Sequence, residues 1–154
     1  MLEDDLRSAL AGRAVIVGVG RKSSGDDAAG PELVRLLLDA GVTRAIDAGE
    51  SPETETWRIR EMAPDGVLFV DAVDMGAAAG DAALLESGDL RTDGCDTHRA
   101  PISLTMQYLE AELGCACRLL AIQPRTVRHG APMSEEVRAT VEQAALLLAE
   151  FMAR

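Results

Sequence analysis

Three short apolar runs constrain the fold of this chain more than any other feature: AVIVGVG at 14–20, GVLFVDA at 66–72 and CRLLAIQ at 117–123. The first ends on glycine and is apolar at successive positions, the pattern of a strand covered on both faces in a parallel sheet. The second must have a buried centre. Between the runs the spacing turns helical. Leu33, Val34, Leu37 and Leu38 mark a helix over 31–40, with Pro31 suited to its first turn and Gly41 to its C-terminal cap. Residues 43–47 read as a second strand, and Ser51 and Pro52 open a helix that runs through Met62. After Pro101, Ile102, Met106, Leu109 and Leu113 again follow helical spacing until Gly114. Ser134 caps a last helix whose apolar face is Val137, Val141, Ala144, Leu148 and Phe151 or Met152. An edge strand at 82–85 is expected, while the alanine-rich stretch 77–83 is compatible with loop, strand or helix. Residues 1–13 form an acidic, helix-like N-terminal extension. Strands alternating with helices imply right-handed crossovers. The expected fold is α/β: a three-layer α/β/α single domain over residues 1–154, with a mostly parallel twisted sheet of about five strands.

At 154 residues one core suffices, since a domain of this size buries roughly 70% of its unfolded surface. A net charge of −11 repels phosphate backbones and anionic lipid, which argues against a nucleic-acid partner. No apolar run approaches the roughly 18 residues of a membrane span, and the N-terminus lacks a basic segment followed by an apolar one, so neither membrane insertion nor a secretory signal is expected. The cysteines Cys95, Cys115 and Cys117 are odd in number and offer no disulfide framework, which fits the cytoplasm. Cys115 and Cys117 would share one face of a regular strand as small buried hydrophobes. A monomer is expected.

In open parallel sheets, ligands bind beyond the carboxyl ends of the strands. The first strand leads into GRKSSGDDAAG at 20–30, the third ends at Asp71 with Asp74 nearby, and His98 precedes the helix at Pro101. Two carboxylates and an imidazole make an incomplete coordination set for a borderline divalent metal such as nickel or zinc, with positions left for water or substrate. Plainer roles compete: Asp26 or Asp27 can cap a helix, Asp71 can cap the next element, and a loop histidine is commonly just solvated. His129, in the polar segment RTVRHGAPM, reads best as solvent-facing. Gly18, Gly20 and Gly25 suggest a phosphate loop, but Ser23 stands where a third Rossmann glycine is required and no GxxxxGK[ST] occurs. Cys95, three residues before His98, is a poor nucleophilic pair because such partners normally come from distant segments. Neither GxSxG nor HExxH is present.

The segment VGVGRKSSGDDAAGPELVRLL resembles the VGxGNxLxxDDGxG opening of the hydrogenase maturation endopeptidases. IDAGESPET at 46–54, LFVDAVDMGAAAG at 68–80, DTHRAPIS at 96–103 and LLAIQPRTVRHGAPMSEEVRATVE at 119–142 resemble four further family segments in the same order. The ending is nearest the proteases serving formate-hydrogenlyase-type and energy-converting hydrogenases. The resemblance implies an endopeptidase that removes the C-terminal extension of a [NiFe] hydrogenase large-subunit precursor after nickel insertion. It carries a catalytic and nickel-contacting trio onto Asp27, Asp71 and His98. The nickel would arrive in the substrate and act as the recognition element, other divalent metals standing in for it in the isolated protein. Asp27 and Asp71 are both candidate bases, with Asp74 as an outsider. Two residues depart from the family pattern: Arg21 replaces an asparagine, and Ala28 a glycine, which argues against a left-handed backbone at position 28. Arg21 and Lys22 make the loop unusually basic. The rival expectation is a nonenzymatic α/β metal- or partner-binding module in hydrogenase assembly.

Overall fold

The computed structural model describes residues 1–90 and 99–153. The chain runs through α1 (Leu2–Ala9), β1 (Ala14–Gly18), α2 (Ala29–Asp39), β2 (Ala45–Asp47), α3 (Thr56–Glu61), β3 (Gly66–Ala72), β4 (Ala82–Glu86), α4 (Arg99–Leu113), β5 (Ala116–Ile122) and α5 (Glu135–Met152). The strands form one sheet in the order β2-β1-β3-β5-β4. All neighbours are parallel except β4, which pairs antiparallel with β5 at the edge. β1 lies beside β3 from Ala14 opposite Gly66 to Gly18 opposite Val70, and β3 lies beside β5 from Gly66 opposite Ala116 to Ala72 opposite Ile122.

Successive side chains of a strand point to opposite faces, and the three apolar runs feed two cores in this way. Ile16, Leu68, Val70, Leu120 and Ile122 enter one core with Leu6 of α1, Leu33 and Leu37 of α2, and Val137, Val141 and Leu148 of α5. Val15, Val17, Val67, Phe69 and Leu119 enter the other with Ile59 of α3 and Ile102, Met106 and Leu109 of α4. A run apolar at every position is therefore the sequence of a strand with helices on both sides. This is the expected three-layer α/β/α arrangement. Cys115 and Cys117 are both buried in the second core, as expected for small hydrophobes.

Several boundaries differ from the sequence expectation for local reasons. β1 stops at Gly18 rather than residue 20, because the Gly20 N–H turns to donate to Gly49 O and Gly20 adopts φ +145°. The helix expected at 31–40 begins two residues earlier, at Ala29, leaving Pro31 in the first turn, where a missing N–H costs little. Gly41, at φ +90°, follows it as anticipated. The helix expected from Pro52 to Met62 divides into a 3-10 turn, Pro52–Glu55, and α3. Within 77–83, strand geometry begins only at Ala82. α4 starts before Pro101, which sits in its first turn. Ser134 caps α5 by accepting from Val137 N–H at 3.4 Å, and Phe151 rather than Met152 completes the buried face. The Arg7 guanidinium lies 4.3 Å from the Phe151 ring centroid, joining α1 to the end of α5. Among the described residues no helix is long and apolar enough to cross a membrane.

Candidate functional site

The loops that follow β1, β2, β3 and β5 converge at the carboxyl edge of the parallel strands. There they enclose a cleft of about 140 Å³ lined by Asp27, Glu50, Asp71 and Asp74, with Val19, Pro124 and Val127 as its apolar wall. Asp71 is the penultimate residue of β3, is only 6% exposed, and is held on the strand by parallel pairing with β5. It lies within the strand and does not cap a helix.

Asp27 comes from a 3-10 turn, Gly25–Ala28, between β1 and α2. Its Oδ2 accepts from the Arg21 backbone N–H at 2.8 Å. The turn is pressed tightly onto Gly20. A Cβ there would stand 1.9 Å from the Asp27 carbonyl oxygen, and the φ of +145° is one that side-chain-bearing residues rarely adopt. Gly30, at the start of α2, is similarly confined: a Cβ would meet Val70 O at 2.4 Å and Val19 O at 2.5 Å. These two glycines let the turn and the helix start approach the ends of β1 and β3, which brings Asp27 to the same cleft as Asp71. Ala28 takes φ −75°, a right-handed conformation, as its side chain requires.

The adjacent aspartates, of which the family resemblance singles out Asp27, separate in the structure. Asp26 is fully buried and accepts four hydrogen bonds: from Arg125 N–H (2.8 Å), Thr126 N–H (3.3 Å), Ser134 N–H (2.7 Å) and Ser134 Oγ (2.9 Å). It caps neither its own turn nor α2. It staples the loop after β1 to the loop before α5, while Ser134 serves at once as the cap of α5 and as a donor to Asp26. Asp27 is left facing the cleft.

The basic character of the loop is offset by nearby acids. Arg21 pairs with Glu50 at 2.8 Å, and Lys22 with Asp47 at 3.0 Å. The hydrogen bond to Glu50, with its charge, pushes the Arg21 guanidinium further up from its ordinary value. Glu50 lines the cleft and was not a candidate from sequence. The only signal for it was its place at the end of IDAGE, in the loop that follows β2.

On the other side, Gln123 follows β5 and is 6% exposed. Its Oε1 accepts from Met75 N–H at 2.6 Å and Ala77 N–H at 3.2 Å, and its Nε2 donates to Asp74 Oδ1 and Pro124 O, each at 3.2 Å. His129 is exposed, with Nδ1 3.5 Å from Ser23 Oγ, and lines no part of the cleft. His98 and Cys95 lie outside the described residues. Among the described residues no group of three or more His, Cys, Asp or Glu side chains forms a metal-holding cluster. Among the four carboxylates that line the cleft, the structure brings together the two predicted from sequence, Asp71 on a strand end and Asp27 on a tight turn, able to accept a proton or offer oxygen ligands.

Comparison with known proteins gives one family. The family model HycI, hydrogenase maturation protease, matches residues 30–150. The hydrogenase 3 maturation protease of Escherichia coli strain K12 is 34% identical over 131 residues, covering 83% of each chain. The crystal structure of the [NiFe] hydrogenase maturation protease HycI from Thermococcus kodakarensis KOD1 superposes with a TM-score of 0.89 at 27% identity, over 97% of this chain and 99% of that one. The solution structure of the endopeptidase HycI from Escherichia coli does so with a TM-score of 0.81 at 31% identity, over 91% of each chain. The chain belongs to the hydrogenase maturation protease family and is an endopeptidase.

Proposed function

We propose that this endopeptidase removes the C-terminal extension of a [NiFe] hydrogenase large-subunit precursor once nickel has been inserted, and that Asp27, Asp71 and His98 read the substrate's own nickel. The observation that carries this reading is the sharing of one cleft by Asp27 and Asp71 at the carboxyl edge of the sheet, with neighbouring Asp26 committed to holding loops together. Family membership supplies the proteolysis and favours it over a pure binding module.

Hydrolysis adds water across the scissile bond: water oxygen bonds to the carbonyl carbon, the C–N bond breaks, and a proton reaches the leaving amine. The substrate's nickel supplies Lewis acidity and orders the precursor's C-terminal segment. Of the carboxylates in the cleft, Asp27 and Asp71 are assigned as the proton acceptors and the oxygen donors toward the metal. His98, preceding α4 in sequence, contributes the imidazole. Asp27 keeps its aim through the Arg21 N–H, and Asp71 through its seat on β3. Its odd number of cysteines, with Cys115 and Cys117 free and buried, favours a reducing compartment, and the reading places the protease in the cytoplasm.

The test is processing of nickel-loaded cognate precursor by Asp27→Asn and His98→Ala, followed by mass spectrometry. Both variants are expected to lose cleavage. Processing at the wild-type rate by either one removes that residue from the trio.

A further inference from the structure

The amide of Gln123, next in sequence to the cleft-lining Pro124, uses every hydrogen-bonding position it has. The two N–H donors of Met75 and Ala77 face one end, so that end must be the oxygen, and the NH2 must face Asp74 and Pro124 O. The backbone of Gln123 is tied as well: its N–H donates to Asp81 O at 2.7 Å and its carbonyl accepts from Gly80 N–H at 2.8 Å. Gln123 is therefore a rigid, nearly buried donor. Asp74 is exposed, and its Oδ1 takes two hydrogen bonds, from Gln123 Nε2 at 3.2 Å and Gly76 N–H at 3.0 Å. An exposed carboxylate on a loop ordinarily samples several rotamers. This one is held by Gln123 and the Gly76 N–H and lines the cleft together with Asp27 and Asp71.

We propose that Gln123 is a positioning residue for the protease reaction, acting through Asp74. Held by Gln123, Asp74 accepts a hydrogen bond from the backbone of the substrate's C-terminal segment and fixes the scissile bond over Asp27 and Asp71. The inference rests on the proposed processing of a nickel-loaded precursor and adds a residue pair outside the metal-reading trio. Gln123→Glu is the informative substitution, because it keeps an oxygen for Met75 and Ala77 N–H while turning a second oxygen toward the Asp74 carboxylate. That exchanges a donor for a like charge and leaves the 75–77 turn its acceptor.

The experiment measures kcat and KM for cleavage of nickel-loaded precursor by wild type, Asp74→Asn, Gln123→Glu and the double variant, with thermal unfolding of each. Because a small displacement of a bound segment costs up to about a hundredfold in rate, each single variant is expected to lose roughly tenfold to a hundredfold in kcat. The double variant is expected to be no slower than the slower single variant, since Gln123 acts only through Asp74. A purely structural role for Gln123 predicts instead a slowing that is the same with and without the Asp74 carboxylate. Asp74 is exposed, so Asp74→Asn folds whatever becomes of Gln123→Glu. Full activity of Asp74→Asn beside an active wild type overturns this inference alone, as does an additive double variant. A wild-type protein that leaves a loaded cognate precursor intact overturns the proposed function and this inference with it.

Discussion

Asp26 and Asp27 are neighbours of the same residue type, yet burial and partners give them opposite duties. Asp26 accepts two bonds from Ser134 and two from the 125–126 backbone, and hydrogen bonds to a charged acceptor each contribute about 1.5 to 3 kcal/mol. Asp26→Asn is accordingly expected to destabilise the fold by about 2 kcal/mol or more in denaturant unfolding. Asp27→Asn, which disturbs one hydrogen bond to a half-exposed side chain, is expected to cost less than about 1 kcal/mol while removing processing. A reversed outcome, with Asp26→Asn stable and Asp27→Asn unfolded, would exchange the two roles. Gly20→Ala belongs beside them. The new Cβ must displace the Asp27 carbonyl, so the variant should lose about 2 kcal/mol and its processing together. Position after the first strand left both aspartates open, and only the family resemblance chose Asp27. The partners that decide, Arg125, Thr126 and Ser134, are about a hundred residues away along the chain. Gln123 was hidden for a similar reason: its four bonds, apart from the one to Pro124, go to the loop after β3, and no local pattern announces them.

At the scale of elements, the loop between β5 and α5 does more than join them. Ser134 caps α5 and donates to Asp26, so Ser134→Ala removes a helix cap and a bond to a buried carboxylate together. A loss of about 1 to 2 kcal/mol is expected, with a fall in processing, because the same loop supports the turn that carries Asp27. A variant with wild-type stability would show that the staple is redundant. The strands β1, β3 and β5 were legible because a run covered on both faces is apolar at every step. The helices α2 and α5 were legible because each buries one stripe. The break in the helix from Pro52 was not, since the four residues PETE supply a proline start and capping acids but no apolar periodicity to distinguish a 3-10 turn from an α-helix. The alanine-rich segment was undecided for a related reason. Alanine fits loop, strand and helix alike, and only pairing with β5 fixes Ala82 and Ala83 as strand.

For the molecule as a whole, the two cores on either side of the sheet set the stability. Phe69 is fully buried at the centre of β3, and Phe69→Ala should cost about 3 to 5 kcal/mol. Burial in the second core also pushes the Cys117 thiol well up from its ordinary value, desolvation being the main cause and the neighbouring Cys115 a lesser one. The thiol stays protonated in the folded state. The stability it carries is therefore fully present below the thiol's ordinary value of 9.0 and declines as pH rises above it, where the unfolded chain loses the proton first. Maleimide labelling at neutral pH with peptide mapping should find Cys115 and Cys117 unmodified in the native protein and modified after denaturation. Native labelling of Cys117 would contradict its place in the core. The central claim concerns the cleft, and its most direct test is to mix the purified protein with nickel-loaded and nickel-free precursor of a cognate hydrogenase large subunit and weigh the products by mass spectrometry. Loss of a C-terminal peptide from the loaded form alone is the predicted result. Equal cleavage of the nickel-free form, or an intact loaded precursor, would contradict recognition through the substrate's metal.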